Sequence, residues 1–300
     1  MKYNWILFAA CGAMMVIGCV GPRVDHGGAP VVFVQVSDSH YGNPLHAYRF
    51  RQAAEQINAL PFDVAVVVHT GDFSSDNLHI EATGAGVSNL LSLIDKPLLC
   101  VPGNHDLLAK GANAEKRLAA CADVYSRYIG PLGSVYETNG VVFIAVYTEP
   151  LRGQSPSVAI EGFDPLAWLE AEIKKAGDKP TFVFTHTPDG EDFYNNELHP
   201  GWPEENRRAW RRVLARGNVK AIIAGHYHRD ELQQGEDGIP LHVGNAIANF
   251  WGRQASFRIY TYEAGRLSYR TVYIEDPPPR MNVNPDGTTG PPTVGAGDSD

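Results

Sequence analysis

The stretch Pro97-Leu98-Leu99-Cys100-Val101-Pro102-Gly103-Asn104-His105-Asp106 decides how this chain reads. An apolar run of strand length, Pro97 to Val101, is broken by a Pro-Gly turn. It ends in an amide, an imidazole and a carboxylate, side chains that hold metals and move protons. Four more junctions have the same form. Val31 to Val36 leads to Asp38-Ser39-His40, and Val64 to Val68 leads to Gly71-Asp72. Thr181 to Phe184 leads to Thr185-His186, and Val219 to Ala224 leads to Gly225-His226-Tyr227-His228. Polar groups placed after several buried strands are groups that one sheet edge can gather.

Working outward, the segments between the strands carry helical spacing. His46 to Leu60, Val87 to Ile94, Asp164 to Ala176 (with Pro165 at its first position) and Pro203 to Arg216 read as helices. Val141 to Val146, Leu241 to Val243, Ser256 to Tyr262 and Leu267 to Ile274 read as further strands. Continuous apolar strands alternating with helices predict an α/β (α+β) fold of two packed mixed sheets flanked by helices. The sequence shows no internal repeat.

The ends have a different composition. Lys2 precedes an apolar stretch from Trp5 to Val20 that is short and interrupted for a membrane span and reads as a targeting segment. Val16-Ile17-Gly18-Cys19 resembles the bacterial lipobox. The expectation is a signal peptide over 1–18, lipid on Cys19, a tether over 19–30 and a cell-envelope protein facing the periplasm or exterior. Val20 after the cysteine favours the outer membrane. An ordinary secretory signal is the alternative. The domain is expected over 31–275, and the Pro-, Gly- and Thr-rich tail 276–300 is expected to be disordered. Cys100 and Cys121 then remain, either bridged or simply small buried residues. A net charge of −9 argues against a general nucleic-acid binder, which needs a basic stripe, but not against a small phosphorylated substrate drawn to a local metal charge.

The junctions supply ligands for two ions. Asp38 and His40, and again His226 and His228, stand at i and i+2, which in extended backbone puts both side chains on one side. Asp72 after Gly71 suits a bridging carboxylate, and Asn104 supplies a neutral amide oxygen. His105 stands beside it as a proton donor, with Asp106 placed to orient it. Two carboxylates against two metal ions leave a positive remainder that attracts phosphate. The mixed His/Asp/Asn set suits Fe, Mn or Zn better than Mg or Ca.

In order and spacing these motifs, D-x-H, G-D, G-N-H-D, H and G-H-x-H, resemble the calcineurin-like metallophosphoesterase superfamily from Asp38 to His228. The resemblance implies a four-layer αββα sandwich. It implies one metal on Asp38, His40, Asp72 and His228, and another on Asp72, Asn104, His186 and His226. It further implies hydrolysis of a phosphodiester or phosphomonoester by a metal-bound hydroxide attacking in line, with His105 as general acid. Pro102 to Asp106 together with Trp168-Leu169-Glu170 is most similar to the bacterial cyclic-nucleotide phosphodiesterase branch. The competing readings are a non-catalytic metal-stabilised scaffold lipoprotein and a two-domain solute-binding lipoprotein; the former has no use for His105 and the latter none for the His/Asp series. Oligomeric state stays open.

Other residues invite attention. Arg207, Arg208, Arg211 and Arg212 suggest phosphate recognition, but Glu204 at i−4 from Arg208 favours a solvated helix face. The loop Pro188 to Pro203, with Asp189, Asp192 and His199, is placed to line a pocket. Tyr41, Asn43, His46, His242 and Asn245 are further wall candidates, and His69 reads as a core histidine.

Overall fold

The computed structural model describes residues 29–235, 237–248 and 251–290. In chain order it contains β1 (Val31–Val36), α1 (Pro44–Asn58), β2 (Val66–His69), α2 (Glu81–Leu91), β3 (Leu98–Cys100), α3 (Ala114–Tyr128), β4 (Gly133–Thr138) and β5 (Val141–Val146). A 3-10 turn (Glu149–Arg152) follows, then α4 (Pro165–Ala176), β6 (Thr181–Phe184), α5 (Glu204–Leu214), β7 (Val219–Ala224), β8 (Glu231–Gln234), β9 (Pro240–Val243), β10 (Ser256–Glu263), β11 (Arg266–Tyr273), β12 (Asn282–Val283) and β13 (Thr289–Gly290).

Two mixed sheets form, as the strand pattern predicts. One has the order β11-β10-β1-β2-β3, the other β4-β5-β6-β7-β9-β8. β1, β2 and β3 are parallel, as are β5, β6, β7 and β9; β10 pairs antiparallel with both β1 and the edge strand β11, and the edge strands β4 and β8 pair antiparallel with β5 and β9. Phe33 and Val68 from one sheet, Phe143, Phe182 and Ile223 from the other, fill the space between the sheets. Phe33 stacks on Tyr260 at 4.9 Å between ring centres and meets Phe143 edge-on at 5.2 Å. A second apolar layer joins the first sheet to α1, α2 and α3, and a third joins the other sheet to α4 and α5. The result is the αββα sandwich, with the loops after β1, β2, β3, β6 and β7 gathered at one edge.

The helix ends follow local chemistry. Asp164 caps α4 by accepting from the Leu166 and Ala167 N–H groups at 2.9 and 3.1 Å, with Pro165 first in the helix. Asn43, a wall candidate, instead caps α1 through Leu45 N. α3, β4, β8, β12 and β13 go beyond the sequence reading. Leu118, Cys121, Val124 and Tyr125 are the buried stripe of α3, set among charged residues that dilute its pattern.

Part of the segment expected to be disordered is folded. Asp276 pairs with the Arg49 guanidinium at 2.5 Å, and β12 and β13 form a ribbon whose Gly287 lies against the backbone of α1 at Ala47 and Tyr48. The Arg49 ion pair, the glycine contact and a hydrogen bond from Arg51 to the Asp286 carbonyl at 3.2 Å hold a stretch that buries almost no apolar side chain. Residues 291–300 lie outside the described residues, as do the 1–18 segment and Cys19. Cys100 and Cys121 are separate buried thiols. No helix of the described residues is long and apolar enough to cross a membrane.

Candidate active site

Three of the five junctions turn on unusual backbone. Asp38, His40, Asp72, His226 and His228 have φ of 52°, 43°, 55°, 73° and 52°, the left-handed region that non-glycine residues rarely enter. The expectation of extended segments with i, i+2 side chains is therefore corrected, since left-handed residues at alternate positions aim the side chains. Such backbone costs on the order of 1–3 kcal/mol per residue and persists where the surroundings over-determine it. Here the surroundings are visible. Asp38 N donates to Gly71 O at 2.9 Å, His40 N to Asp72 O at 3.0 Å, and Ala248 N to Asp38 O at 2.9 Å. Two glycines permit the crowding. A Cβ on Gly71, whose φ is 99°, would lie 2.6 Å from His186 Nδ1, and one on Gly225 would strike Ser37 Oγ.

The side chains converge as two groups, Asp38, His40, Asp72 and His228, and Asp72, His186 and His226, with ligand atoms in each within 4.8 Å of one another. Asp38 Oδ1 lies 3.0 Å from His228 Nε2 and 4.0 Å from His40 Nε2. Asp72 Oδ2 lies 3.1 Å from His186 Nε2 and 3.7 Å from His40 Nε2. Asn104 Oδ1 is 3.1 Å from His186 Nε2, which adds the amide to the second group. His186 Nδ1 donates to Thr70 O at 2.7 Å, so Nε2 is the nitrogen turned to the cluster.

The remaining oxygens show how the carboxylates are held. Asp38 Oδ2 accepts from Ser37 Oγ at 2.5 Å and His226 N at 3.1 Å, and Asp72 Oδ1 accepts from His105 N at 2.9 Å. Asp38 Oδ1 and Asp72 Oδ2 are buried and accept no hydrogen bond. Burial works to raise the pKa of both carboxyls, but His228 and His186 outweigh it for Asp38, and His186 and His105 for Asp72, holding both well below the usual range. The same field raises His186 to about 10 against its own burial, chiefly through Asp72. Burial pushes His40 down to about 4. Buried anionic oxygens without hydrogen bonds, facing imidazole nitrogens, are what cations satisfy, and the donor set fits two transition-metal ions.

Above the clusters lies a cleft of ≈ 470 Å³. His105 forms part of its wall with Nδ1 2.5 Å from Asp76 Oδ1. Burial alone would lower the His105 pKa, yet Asp72 and then Asp76 raise it above the usual value. Asp106 does not touch His105. Its carboxylate is buried and accepts from Gly103 N at 2.9 Å and Ser74 N at 3.0 Å, tying the loops after β2 and β3 together. Asp76 holds the place expected for Asp106, because the Asp106 side chain turns inward to satisfy backbone N–H groups. Nothing in the pattern marked Asp76, which stands four residues after Asp72 with φ of 62°.

The cleft also takes Arg152, Leu198, His199 and Trp251. The loop 188–203 reaches it through Leu198 and His199, as expected of a wall loop, and His199 lies 4.7 Å ring to ring from His226. Asp189 and Asp192 are framework: Asp189 pairs with Arg211 at 2.5 Å, while Asp192 pairs with Arg229 and caps Tyr194 N. Arg152 and Trp251 went unseen, as single residues outside any motif. His46 supports the site from behind by bonding the His40 carbonyl at 3.1 Å, and His69 is a core histidine on Ser39 Oγ at 3.0 Å. Tyr41 bridges to Ser74. His242 lies among Tyr260 and Tyr269, and Asn245 bonds Gln254 O and Ser256 Oγ. Trp168 packs on Phe163, and Glu170 pairs with Arg216 on the outer helices, so neither informs the cleft.

An αββα sandwich whose strand ends gather two buried His/Asp sites defines a phosphoester hydrolase that works with metals. The chain belongs to the calcineurin-like phosphoesterase family, whose sequence profile matches residues 31–230, and is a metal-dependent phosphoric ester hydrolase. It is 27% identical over 213 residues to a glycerophosphodiester phosphodiesterase of Enterobacter lignolyticus, covering 68% of this chain and 73% of that one. Its fold is similar to that of a dimetal phosphatase from Danio rerio, with TM-score 0.53 at 16% identity over 82% of this chain and 99% of that one. It is also similar to a Plasmodium protein described as the anchor in the inner membrane complex, with TM-score 0.56 at 14% identity over 81% and 84%. A fold shared with an anchor protein leaves function to the site.

Proposed function

We propose that this protein hydrolyses a small phosphodiester, with a phosphomonoester as the second reading, at two transition-metal ions of the Fe, Mn or Zn type. The carrying observation is the pair of buried oxygens, Asp38 Oδ1 and Asp72 Oδ2, that accept no hydrogen bond and face His228 and His186. Asp38, His40, Asp72 and His228 would hold one ion, and Asp72, Asn104, His186 and His226 the other. When bound, the ions supply electrophilic activation of the phosphoryl group and of water.

The chain's own residues do the rest. Asp72 would serve both ions, its Oδ1 fixed by His105 N. His105 binds Asp76 through Nδ1, which leaves Nε2 to carry a proton into the cleft for the departing alkoxide. Asp76 orients the ring and, with Asp72, raises its pKa. Leu198 and Trp251 give the cleft an apolar wall for the organic part of the ester, which together with the phosphodiesterase relative favours a diester.

The test is metal analysis of the purified chain, with bis-p-nitrophenyl phosphate and p-nitrophenyl phosphate assayed side by side. Turnover is expected with Mn, Fe or Zn and faster on the diester; silence on both esters with all three metals sinks the reading. A cell-envelope location through lipid on Cys19 is a further proposal that stands on the sequence Val16 to Cys19. Cys19→Ser would move the protein from the membrane to the soluble fraction, and unchanged fractionation would defeat it.

A further inference from the structure

Arg152 lies outside the His/Asp series, yet it brings a guanidinium into the same cleft from the other half of the sandwich than His105 and Asp76. It closes the 3-10 turn after β5. Its Nη1 donates to Glu149 Oε2 at 3.1 Å, and among the described residues Glu149 is its one hydrogen-bond partner. Glu149 is completely buried. Its other oxygen accepts from the Thr187 hydroxyl at 2.6 Å and the Thr187 N–H at 3.3 Å. Thr187 directly follows His186, so one carboxylate ties the arginine to the turn that carries a histidine of the metal cluster.

Burying a carboxylate for stability alone is a poor bargain, since an apolar residue of the same volume often serves as well or better. A buried carboxylate does fix an arginine's orientation. The guanidinium has five donors in one plane. Glu149 engages one nitrogen, and the side chain stays 24% exposed, on the cleft, with donors left over. Planar forks of this kind match phosphoryl oxygens. The other arginines near the cleft are committed elsewhere: Arg253 donates to the Tyr227 and His228 carbonyls at 3.2 and 3.0 Å, and Arg117 to the Asp76 carbonyl.

We propose that Arg152 binds a non-bridging phosphoryl oxygen of the ester and of the phosphate product, and that Glu149 is its positioning residue. The proposal rests on the phosphoesterase reading above. It adds a third cationic contact to those of the two metals and sets the orientation in which the phosphoryl group meets His105.

The experiment compares Arg152→Gln, Arg152→Lys and Glu149→Gln with the wild-type, metal-replete protein. Arg152→Gln is expected to raise KM and the inhibition constant of inorganic phosphate together, by about 10- to 100-fold, with kcat within about 3-fold and metal content unchanged. Arg152→Lys, which keeps the charge and loses the fork, should fall between, and is the variant to read if the glutamine does not fold. Glu149→Gln should raise KM by less than Arg152→Gln. Wild-type KM and phosphate inhibition in Arg152→Lys and Arg152→Gln would overturn the proposal, as would loss of metal with KM unchanged. Phosphate binding is also read without turnover, from the thermal shift that inorganic phosphate gives the metal-loaded protein. A shift diminished in Arg152→Lys supports the proposal and an undiminished one overturns it, whereas absence of turnover in the wild type fails the enzyme reading alone.

Discussion

Two hollows on this molecule look like anion sites for opposite reasons. One, of ≈ 320 Å³, is lined by Arg207, Arg208 and Arg211 of α5. The other is the His/Asp cleft. By residue type the first is the better phosphate site, and by satisfaction it is none. Glu204 takes Arg207 at 2.6 Å and Arg208 at 2.5 Å, while Arg211 binds Asp189 at 2.5 Å and Asp237 at 3.1 Å. In the cleft, by contrast, two buried carboxylate oxygens accept nothing and a rim histidine has its pKa raised by Asp72 and Asp76. A site is marked by demand that the chain leaves unmet and aims at one point.

The largest effect that could break this contrast lies at Asp72, the residue common to both clusters. Asp72→Ala is expected to remove at least one equivalent of metal and to lower kcat/KM by more than about 1,000-fold, read by metal analysis and ester hydrolysis. Full metal content with wild-type turnover would remove the reason for treating the cleft as special. Next comes His105. His105→Gln should retain both metals and lose about 100- to 1,000-fold in kcat on an unactivated ester, and much less on p-nitrophenyl esters, whose leaving group needs no proton. Equal losses on both ester types would show that His105 acts in some way other than as an acid. Asp76→Asn should cost about 10-fold in kcat with metals retained, because it disturbs the orientation of that ring and removes part of the charge that raises its pKa.

These residues were unevenly legible. The sandwich and the clusters could be read because buried parallel strands are continuous apolar runs, and because strand ends at one sheet edge must meet. The backbone that aims Asp38, His40, Asp72, His226 and His228 could not, since left-handed turns at non-glycine residues leave no compositional trace. Asp76 and Arg152 were hidden for a related reason. Each is a lone charged residue in a loop, and only tertiary contact with His105 or Glu149 gives it a role. Asp106 shows the converse: its motif position was right, but its side chain turned to backbone N–H groups that proximity in sequence does not reveal. The ordered ribbon after Asp276 depends on Arg49, 227 residues away.

His242 sharpens the comparison, because unmet demand alone does not make a site. Its Nδ1 is buried without a hydrogen bond. Around it stand Tyr260, Tyr269 and the Arg258 guanidinium, which repels a cation where Asp38 and Asp72 would attract one. Burial, with Arg258, pushes its pKa down to about 4. The unfolded chain takes up this proton near pH 6.5 and the folded chain near 4, so the unfolded state binds more protons between those values. Stability should therefore be full above pH 6.5 and fall on acidification towards pH 4, by up to about 3 kcal/mol from this residue. His242→Gln should flatten that part of a urea-midpoint profile against pH while leaving metal content and turnover unchanged. An unaltered slope would mean that His242 is charged in the folded protein.

The smallest effect is expected where the arginines are most numerous. Arg207 and Arg208 are 41% and 70% exposed and share one half-exposed carboxylate on their own helix, so solvent screens both pairs and neither contributes much. Changing both to Gln should leave KM, kcat and phosphate inhibition within about 2-fold, with the loss in stability falling further as salt screens the pairs. Arg211 is the informative control on the same helix. Its partner Asp189 is almost wholly buried at the start of the loop that carries Leu198 and His199 to the cleft. Arg211→Gln should therefore destabilise the protein more than the double change does, by a few kcal/mol, since it leaves a buried carboxylate short of its cation. If the double change instead weakened phosphate inhibition tenfold, the α5 hollow would be an anion site after all, and hydrogen-bond satisfaction would be a poorer guide to function than residue type.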